Sequence, residues 1–442
     1  MGSVTGFRLV LVAALMSALV LLAVSQGSSD SSSSSLFHLS GASLLVVVAI
    51  TIAVLSSILA MGDFEREDRA TTVALFVLTA LLLVLAAASR HLVAWLVFYE
   101  LSSFPLILYL FRARERASTA AMLLAVFTVA SGIVIALGVL IAYSERASFW
   151  FEDFEREGSL LAGALIAAGL ILKLPAIPLH YWLVLVYSAV PPHLGVIAVS
   201  LEGATMLFML EVAGRTLILP ALREAGCESS LALLLSAIGA LSMVYASLQG
   251  LASKTSREVL AFSSIAHANA VLLVLAASVL EDPVDSLKLL DIAGYYVVAY
   301  VISKSAWFLL SGALEKTSGD MLLDKLRGSA RSHPVLYTIG LTTLFMILPS
   351  PPSLKFFSEL FLILMAPSEC TMSIAIAALL ALGLALAVAI AVRFIYVVWV
   401  RSETEAEPRA SPALTLVSVS LLSLVLIAGG FVLAAYFTRF IG

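Results

Sequence analysis

Three ionisable side chains lie deep inside apolar stretches of this sequence. Glu100 is near the centre of one stretch, Lys173 follows fourteen uncharged residues, and Lys304 has apolar neighbours on both sides. A charge in such surroundings costs several kcal/mol unless it is paired or neutralised. We therefore expect Glu100 and Lys173 to face each other in the protein interior. The alternative for Lys173 is that its long side chain extends to the membrane surface, but the two prolines that follow it argue against this interpretation.

These residue types suit proton transfer. Burial disfavours the charged form of an ammonium, so a lysine such as Lys173 or Lys304 can release its proton. His267 can relay protons, although a core histidine bonded to Ser263 one turn earlier fits the sequence equally well. Glu202 and Glu359 are further candidates. For Glu202, and likewise for Glu211 and Arg393, a position near a helix end competes with a functional one.

The composition requires a bilayer around these groups. The chain has 442 residues, of which 61% are apolar and only 12% charged, and its mean hydropathy is +1.08. Soluble domains are about 45 to 50% apolar and about 25% charged. With about 20 residues per crossing, we predict an all-α polytopic membrane protein of about thirteen helices. They start near Phe7, Ala42, Thr71, His91, Ser118, Ser159, His193, Ser229, Arg257, Lys288, His333, Thr371 and Ser411.

Two of these predicted spans are interrupted by prolines. Pro175 and Pro178 follow Lys173, and Pro351 and Pro352 precede Glu359, so both spans should be broken helices. They lie five spans apart, which implies two inverted five-helix repeats, each with one broken helix. The predicted division is residues 1–70 as N-terminal helices, 71–215 and 229–401 as the repeats, and 410–442 as a C-terminal helix.

Several other functions are excluded or disfavoured. The net charge of -4 and the absence of a basic run argue against a nucleic-acid partner. The two cysteines, Cys227 and Cys370, give no metal or iron-sulfur spacing, and no phosphate-binding glycine loop occurs. His180 and His193 have the separation of two haem ligands, but the prolines at 191 and 192 would break that helix. We predict no cofactor and no metal.

Orientation follows from the loop charges. One side of the membrane carries about twice as many Lys and Arg as the other, which places the N-terminus inside. The first apolar segment, Phe7 to Ser25, has the length of a signal peptide but little basic flank, so we expect a retained helix. The expected location is the plasma membrane of a prokaryote or an equivalent coupling membrane.

Five segments together resemble a known family, the antiporter-like membrane subunits shared by respiratory complex I, membrane-bound hydrogenases and multisubunit cation/proton antiporters. They are Phe98–Ser103, Lys173–Trp182, Ser256–His267, Ser303–Gly312 and Pro351–Phe361. The last, with Glu359, is most similar to the M-type subunit of complex I. The sequence also departs from the family pattern. The lysine expected on the helix after the first break falls near Ala204, with Glu202 close by, and the histidine expected before Lys304 is Tyr300.

The resemblance implies coupled translocation of protons, or of Na⁺, by a subunit without a redox cofactor of its own. It would work beside other membrane subunits in an NADH or ferredoxin:quinone oxidoreductase or a membrane-bound hydrogenase. Glu100 and Lys173 would form a switch, Lys304 would carry the proton onward and Glu359 would release it. Alternatives are a subunit of a Na⁺/H⁺ antiporter, a proton-inactive scaffold subunit and an independent solute symporter. With Glu202 turned inward, the half that contains Lys304 and Glu359 is expected to be the working route.

Overall fold

A computed structural model describes residues 36–39, 41–65, 69–112, 115–222, 230–328, 334–365, 371–399 and 412–441. This part of the chain consists of helices joined by short connections and contains no strand. The longer helices are α1 (Gly41–Phe64), α2 (Arg69–Ala88), α3 (Leu92–Ser102), α4 (Phe104–Arg112), α5 (Glu115–Arg146), α6 (Leu160–Lys173), α7 (Tyr181–Ala189), α8 (Pro192–Phe208), α9 (Ser230–Ala252), α10 (Ser256–Ala268), α11 (Ala270–Leu280), α12 (Pro283–Ser318), α13 (Pro334–Ile347), α14 (Leu354–Met365), α15 (Thr371–Trp399) and α16 (Ala413–Ile441). A π-helix, Met209–Ile218, continues α8, and three short helical segments complete the set: Phe151–Phe154, Leu219–Ala221 and Leu323–Leu326.

The membrane prediction is confirmed. Ten helical stretches among the described residues are long and apolar enough to cross a bilayer. Three of them combine neighbouring helices: α3 with α4, α10 with α11, and α8 with the helical segments that continue it to Ala221. Two shorter apolar helices, α6 and α13, accompany them. The predicted span near Phe7 lies outside the described residues, so the total of about thirteen stays a prediction. The chain is an all-helical integral membrane protein.

The helices divide into a buried centre and a lipid-facing periphery. In the stretches Ser256–Leu280 and Pro283–Ser318, 94% of the most apolar window is buried, against 33% in Ala117–Arg146. The outer face of α5 presents large apolar side chains such as Ile133 and Leu140, each 59% exposed. Hydrocarbon tails suit that face, whereas polar groups on the central helices must find partners inside the protein. The central helices therefore hold the candidate site.

The two predicted breaks occur where the prolines are. Helix α6 ends at Lys173 and α7 begins at Tyr181, while α13 ends at Ile347 and α14 begins at Leu354. Backbone groups freed by the first break have side-chain partners: the Asn269 amide donates to the Leu174 carbonyl at 3.2 Å, and the Ile177 N–H donates to the Ser242 hydroxyl at 3.0 Å. Such replacement bonds allow an interrupted helix at membrane depth.

The second break is packed tightly against α16. A Cβ atom added at Gly430 would lie 1.8 Å from the Pro352 carbonyl oxygen, whereas one at Gly429 would lie 3.1 Å from the end of the Leu354 side chain. The backbone of Pro352 cannot move away from an added methyl group as a flexible side chain can. Only glycine at position 430 permits this approach.

We expect Gly430→Ala to destabilise the protein by about 1 to 3 kcal/mol, the usual cost of overpacking. The thermal midpoint of the detergent-solubilised protein measures the effect, and Gly429→Ala is the matched control because its added methyl group meets a flexible side chain. Equal midpoints for the two variants would show that α16 does not depend on this contact.

Candidate functional site

The first pair of buried charges joins α3 to the end of α6. The Lys173 ammonium lies 3.1 Å from Oε2 of Glu100, and their side chains are 6% and 17% exposed. The Lys173 nitrogen also sits 4.1 Å above the centre of the Tyr99 ring. Oε1 of Glu100 has no hydrogen-bond partner among the described residues. The predicted contact is present, and one carboxylate oxygen remains available to another donor.

Glu202, in the middle of α8, points into the protein and is 2% exposed. The Tyr187 hydroxyl donates to its Oε1 at 2.5 Å, and the Tyr300 hydroxyl donates to its Oε2. The Ser264 hydroxyl lies 3.2 Å from the Tyr187 hydroxyl. Bonds from two hydroxyl donors stabilise a carboxylate that has no cation in direct contact. Glu202 is thus a buried acid held by tyrosines and not by Lys173.

A small cavity lies between the first pair and Glu202. Its volume is about 20 Å³, and Lys173, Glu202, Tyr99 and Thr205 are among its lining residues. The hydroxyl oxygens of Tyr99 and Thr205 are 2.7 Å apart. A cavity needs roughly 10 to 15 Å³ to hold one water molecule, and this one has polar partners for it. The cavity therefore has room for one water molecule beside Lys173 and Glu202.

Lys304 stands one helical turn beyond Tyr300 on α12 and is 1% exposed. Its ammonium donates to the Ser263 hydroxyl at 2.5 Å and lies 5.0 Å from the centre of the Trp307 ring. The Ser263 carbonyl oxygen is in turn 2.7 Å from Nδ1 of His267. The backbone and side chain of Ser263 thus link Lys304 to His267. The predicted bond of His267 to Ser263 one turn earlier is present, and its role as a proton relay stays a prediction.

The contacts of His267 lead on to two charged residues of α14, Lys355 and Glu359. The ammonium of Lys355 is 2.9 Å from Nε2 of His267 and 3.6 Å from Oε1 of Glu359, and the same Glu359 oxygen is 3.8 Å from Nε2 of His267. Lys355 and Glu359 are each 4% exposed. Three ionisable groups therefore meet at one buried point, immediately after the second helix break.

The structure brings the six predicted path residues into one row: Glu100, Lys173, Glu202, Lys304, His267 and Glu359. Sequence reasoning missed three members, Tyr187, Tyr300 and Lys355. Position 355 carried a usable signal, because a lysine four residues before a buried glutamate shares its helix face. Tyr187 carried none, since it lies in an ordinary apolar stretch. Tyr300 was noted only as a departure from a family pattern.

The other residues considered from the sequence have partners outside this row. His193 pairs with Glu65, its Nε2 lying 3.1 Å from the carboxylate, whereas the ring of His180 packs edge-on against Tyr245. The two histidines have no common ligand position. Arg393 donates to the carbonyl oxygens of Gly250 and Ser253 at the end of α9.

Glu211 bonds Arg215 four residues later, at 3.1 Å. In the described part of the chain, no three His, Cys, Asp or Glu side chains are placed to hold a metal ion.

Solved structures share this fold. The chain superposes on a chain of "Respiratory complex I from Thermus thermophilus with bound NADH" with a TM-score of 0.78, 22% identity, and 97% and 91% of the two chains covered. It superposes on a chain of "Structure of Mrp complex from Dietzia sp. DQ12-45-1b" with a TM-score of 0.78, 17% identity, and 96% and 89% covered. At these identities the likeness establishes the fold alone.

Sequence relatives point the same way. The chain is 28% identical over 223 residues to "F(420)H(2) dehydrogenase subunit M" of Methanosarcina mazei, which is 48% of this chain and 41% of that protein. It is 28% identical to "NADH-quinone oxidoreductase subunit 14" of Thermus thermophilus over 70% of this chain and 66% of that protein. The matched region thus spans less than two thirds of either relative.

The family model described as "NADH:quinone oxidoreductase/Mrp antiporter, TM" matches residues 89–386, more than half of the chain and the whole of the row described above. The chain therefore belongs to the NADH:quinone oxidoreductase/Mrp antiporter transmembrane family.

Proposed function

We propose that this chain is the proton-translocating, antiporter-like subunit of a multisubunit membrane complex related to NADH or ferredoxin:quinone oxidoreductases or membrane-bound hydrogenases. The observation that carries the proposal is the row of buried acids and bases from Glu100 to Glu359. Because a buried charge is retained only at considerable cost, so many in one row indicate a route for ions. A scaffold subunit needs no such route.

Each contact in the row has a role in the proposal. While Glu100 stays beside Lys173, it stabilises the ammonium, and separation of the pair allows the ammonium to release a proton to the adjacent cavity. The acceptor is the Glu202 carboxylate, which the hydroxyls of Tyr187 and Tyr300 hold in place. Lys304, in its neutral form, takes up the proton next, one turn beyond Tyr300.

From Lys304 the proton passes through the Ser263 and His267 region to Glu359, which releases it. At every step one group loses a proton and its neighbour gains it, so the row returns to its starting charge after each passage. This is general acid–base transfer, in which donor and acceptor must be within hydrogen-bond reach or one water apart. The contacts around Ser263, His267 and Glu359 measure between 2.5 and 3.8 Å, and Lys173 and Glu202 line one cavity with room for a water molecule.

The proposal also needs partners. Other membrane subunits would couple electron transfer or an ion gradient to the separation of Glu100 from Lys173. We further propose that units 71–215 and 229–401 are the inverted repeats, supported by the two breaks at prolines, and that the N-terminus lies inside a prokaryotic plasma membrane or an equivalent coupling membrane.

The test is to purify the native complex through a tag on this chain, identify its other subunits and reconstitute it in vesicles. Driven by its own electron donor or by a Na⁺ gradient, the complex should move protons, detected with an entrapped pH dye. A Na⁺-free buffer separates the two driving modes. An intact complex that turns over without proton movement would favour the scaffold alternative and overturn the proposal.

A further inference from the structure

Lys355 is a buried cation for which the proposed route has no use. It occupies the second position of α14, directly after the proline break, and its ammonium touches two path residues at once, His267 and Glu359. Lys304 and Glu359 suffice as carrier and release group. The added ammonium needs a reason, because a second buried cation close to Lys304 adds repulsion as well as desolvation.

The hydrogen bonds of His267 indicate how the Lys355 ammonium affects the ring. A carbonyl oxygen can only accept, so Nδ1 of His267 must carry the hydrogen that it donates to Ser263. A protonated Lys355 has no lone pair, so in that state Nε2 is the acceptor of the Lys355 bond at 2.9 Å. The ring is therefore neutral, and its one free proton-accepting atom is covered by Lys355. No proton can enter the ring while that bond persists.

The charges around the ring reinforce the block. While Lys304 holds a proton, it and Lys355 each carry a positive charge, and a protonated His267 would add a third beside Glu359. Oε1 of Glu359 makes no hydrogen bond among the described residues, although it lies only 3.6 Å from the Lys355 ammonium. Lys355 therefore has a second acceptor within reach, and movement of its ammonium onto that oxygen and away from the ring would exchange one bond for the other and uncover Nε2.

We propose that Lys355 is a gating residue that covers Nε2 of His267 at rest and opens the last step of the route by moving onto Glu359. The inference rests on the proposed function and adds control of its final step. When the ammonium moves, Nε2 can accept a proton from Lys304. From there the proton passes to Glu359, 3.8 Å away, and return of the ammonium to Nε2 closes the route again.

The experiment measures passive proton leak in vesicles that hold the whole complex, without electron donor or Na⁺ gradient. An imposed pH difference is allowed to decay in the presence of valinomycin and K⁺. We expect Lys355→Met to accelerate the decay several-fold, because Nε2 of His267 then stays open 3.8 Å from Glu359 and spontaneous separation of Glu100 from Lys173 completes the route without a driving reaction. Lys355→Arg, which keeps a cation and its donors, should restore the slow decay.

Lys355→Gln is the second neutral variant, in case the methionine variant does not assemble, and it should also leak. Lys288→Met is the control, since this lysine pairs with Asp285 at 2.7 Å near the start of α12, away from the row. Decay at the wild-type rate in both neutral variants would overturn the gating role. The leak needs no turnover, so a wild-type complex that fails to pump would count against the proposed function and not against the gate.

Discussion

Replacement of Lys304 by methionine is expected to lower proton translocation by the reconstituted complex by about a hundredfold, the lower range for loss of a proton-transfer group. Methionine fills a similar volume but neither binds nor releases a proton, and it cannot bond the Ser263 hydroxyl. Lys304 is 1% exposed, and water cannot readily take its place. The route from Glu202 to His267 would then have no carrier at its centre.

The measurement is the initial rate of pH change inside vesicles, divided by the turnover rate of the complex. Lys173→Met serves as the comparison, because it removes the first proton donor of the route and leaves Lys304 and Glu359 in place. Normal pumping by Lys304→Met together with none by Lys173→Met would show that the route bypasses Lys304. Thermal midpoints measured beside the rates separate lost transport from lost folding.

The second large effect concerns the contact between Glu100 and Lys173. Either Glu100→Gln or Lys173→Met leaves its partner as an uncompensated buried charge, which we expect to destabilise the protein by about 3 to 5 kcal/mol. Removal of both charges together should be roughly neutral for stability, since the desolvation cost disappears with the attraction. The double variant should therefore fold like the wild type and yet translocate protons poorly.

A double-mutant cycle on the thermal midpoint measures the coupling between the two side chains. A large coupling is expected, because the two atoms are 3.1 Å apart and both side chains are largely buried. Additive effects of the two single substitutions would mean that the pair is too well solvated to act as a switch.

Much of the fold could be predicted because the bilayer leaves few choices. Apolar length locates helices, and prolines at membrane depth locate the breaks that the structure has at 174–180 and 348–353. The contact of Glu100 with Lys173 followed from the cost of leaving either alone. Boundaries were harder, since the stretch with Glu100 is two helices that meet at Ser103.

The details of the row could not be predicted, because they depend on contacts between distant parts of the chain. Nothing local to Tyr187 shows that its hydroxyl will meet Glu202 and Ser264. Glu202 and Tyr300 appeared separately as departures from a family pattern, and each put a working route in question. In the structure the two departures touch each other, since Tyr300 donates to Glu202. The carboxylate of Glu202, which Tyr187 and Tyr300 bind, lies between the Glu100–Lys173 pair and Lys304.

The central claim is that protons pass through Glu202, and Glu202→Gln tests it most directly. Glutamine has nearly the same shape and can still accept the Tyr187 bond, so the complex should assemble with little change in stability, but an amide cannot take up a proton at physiological pH. The measurement is the number of protons translocated per turnover in vesicles. We predict a fall to the background of protonophore-treated vesicles, and an unchanged proton yield would contradict the account.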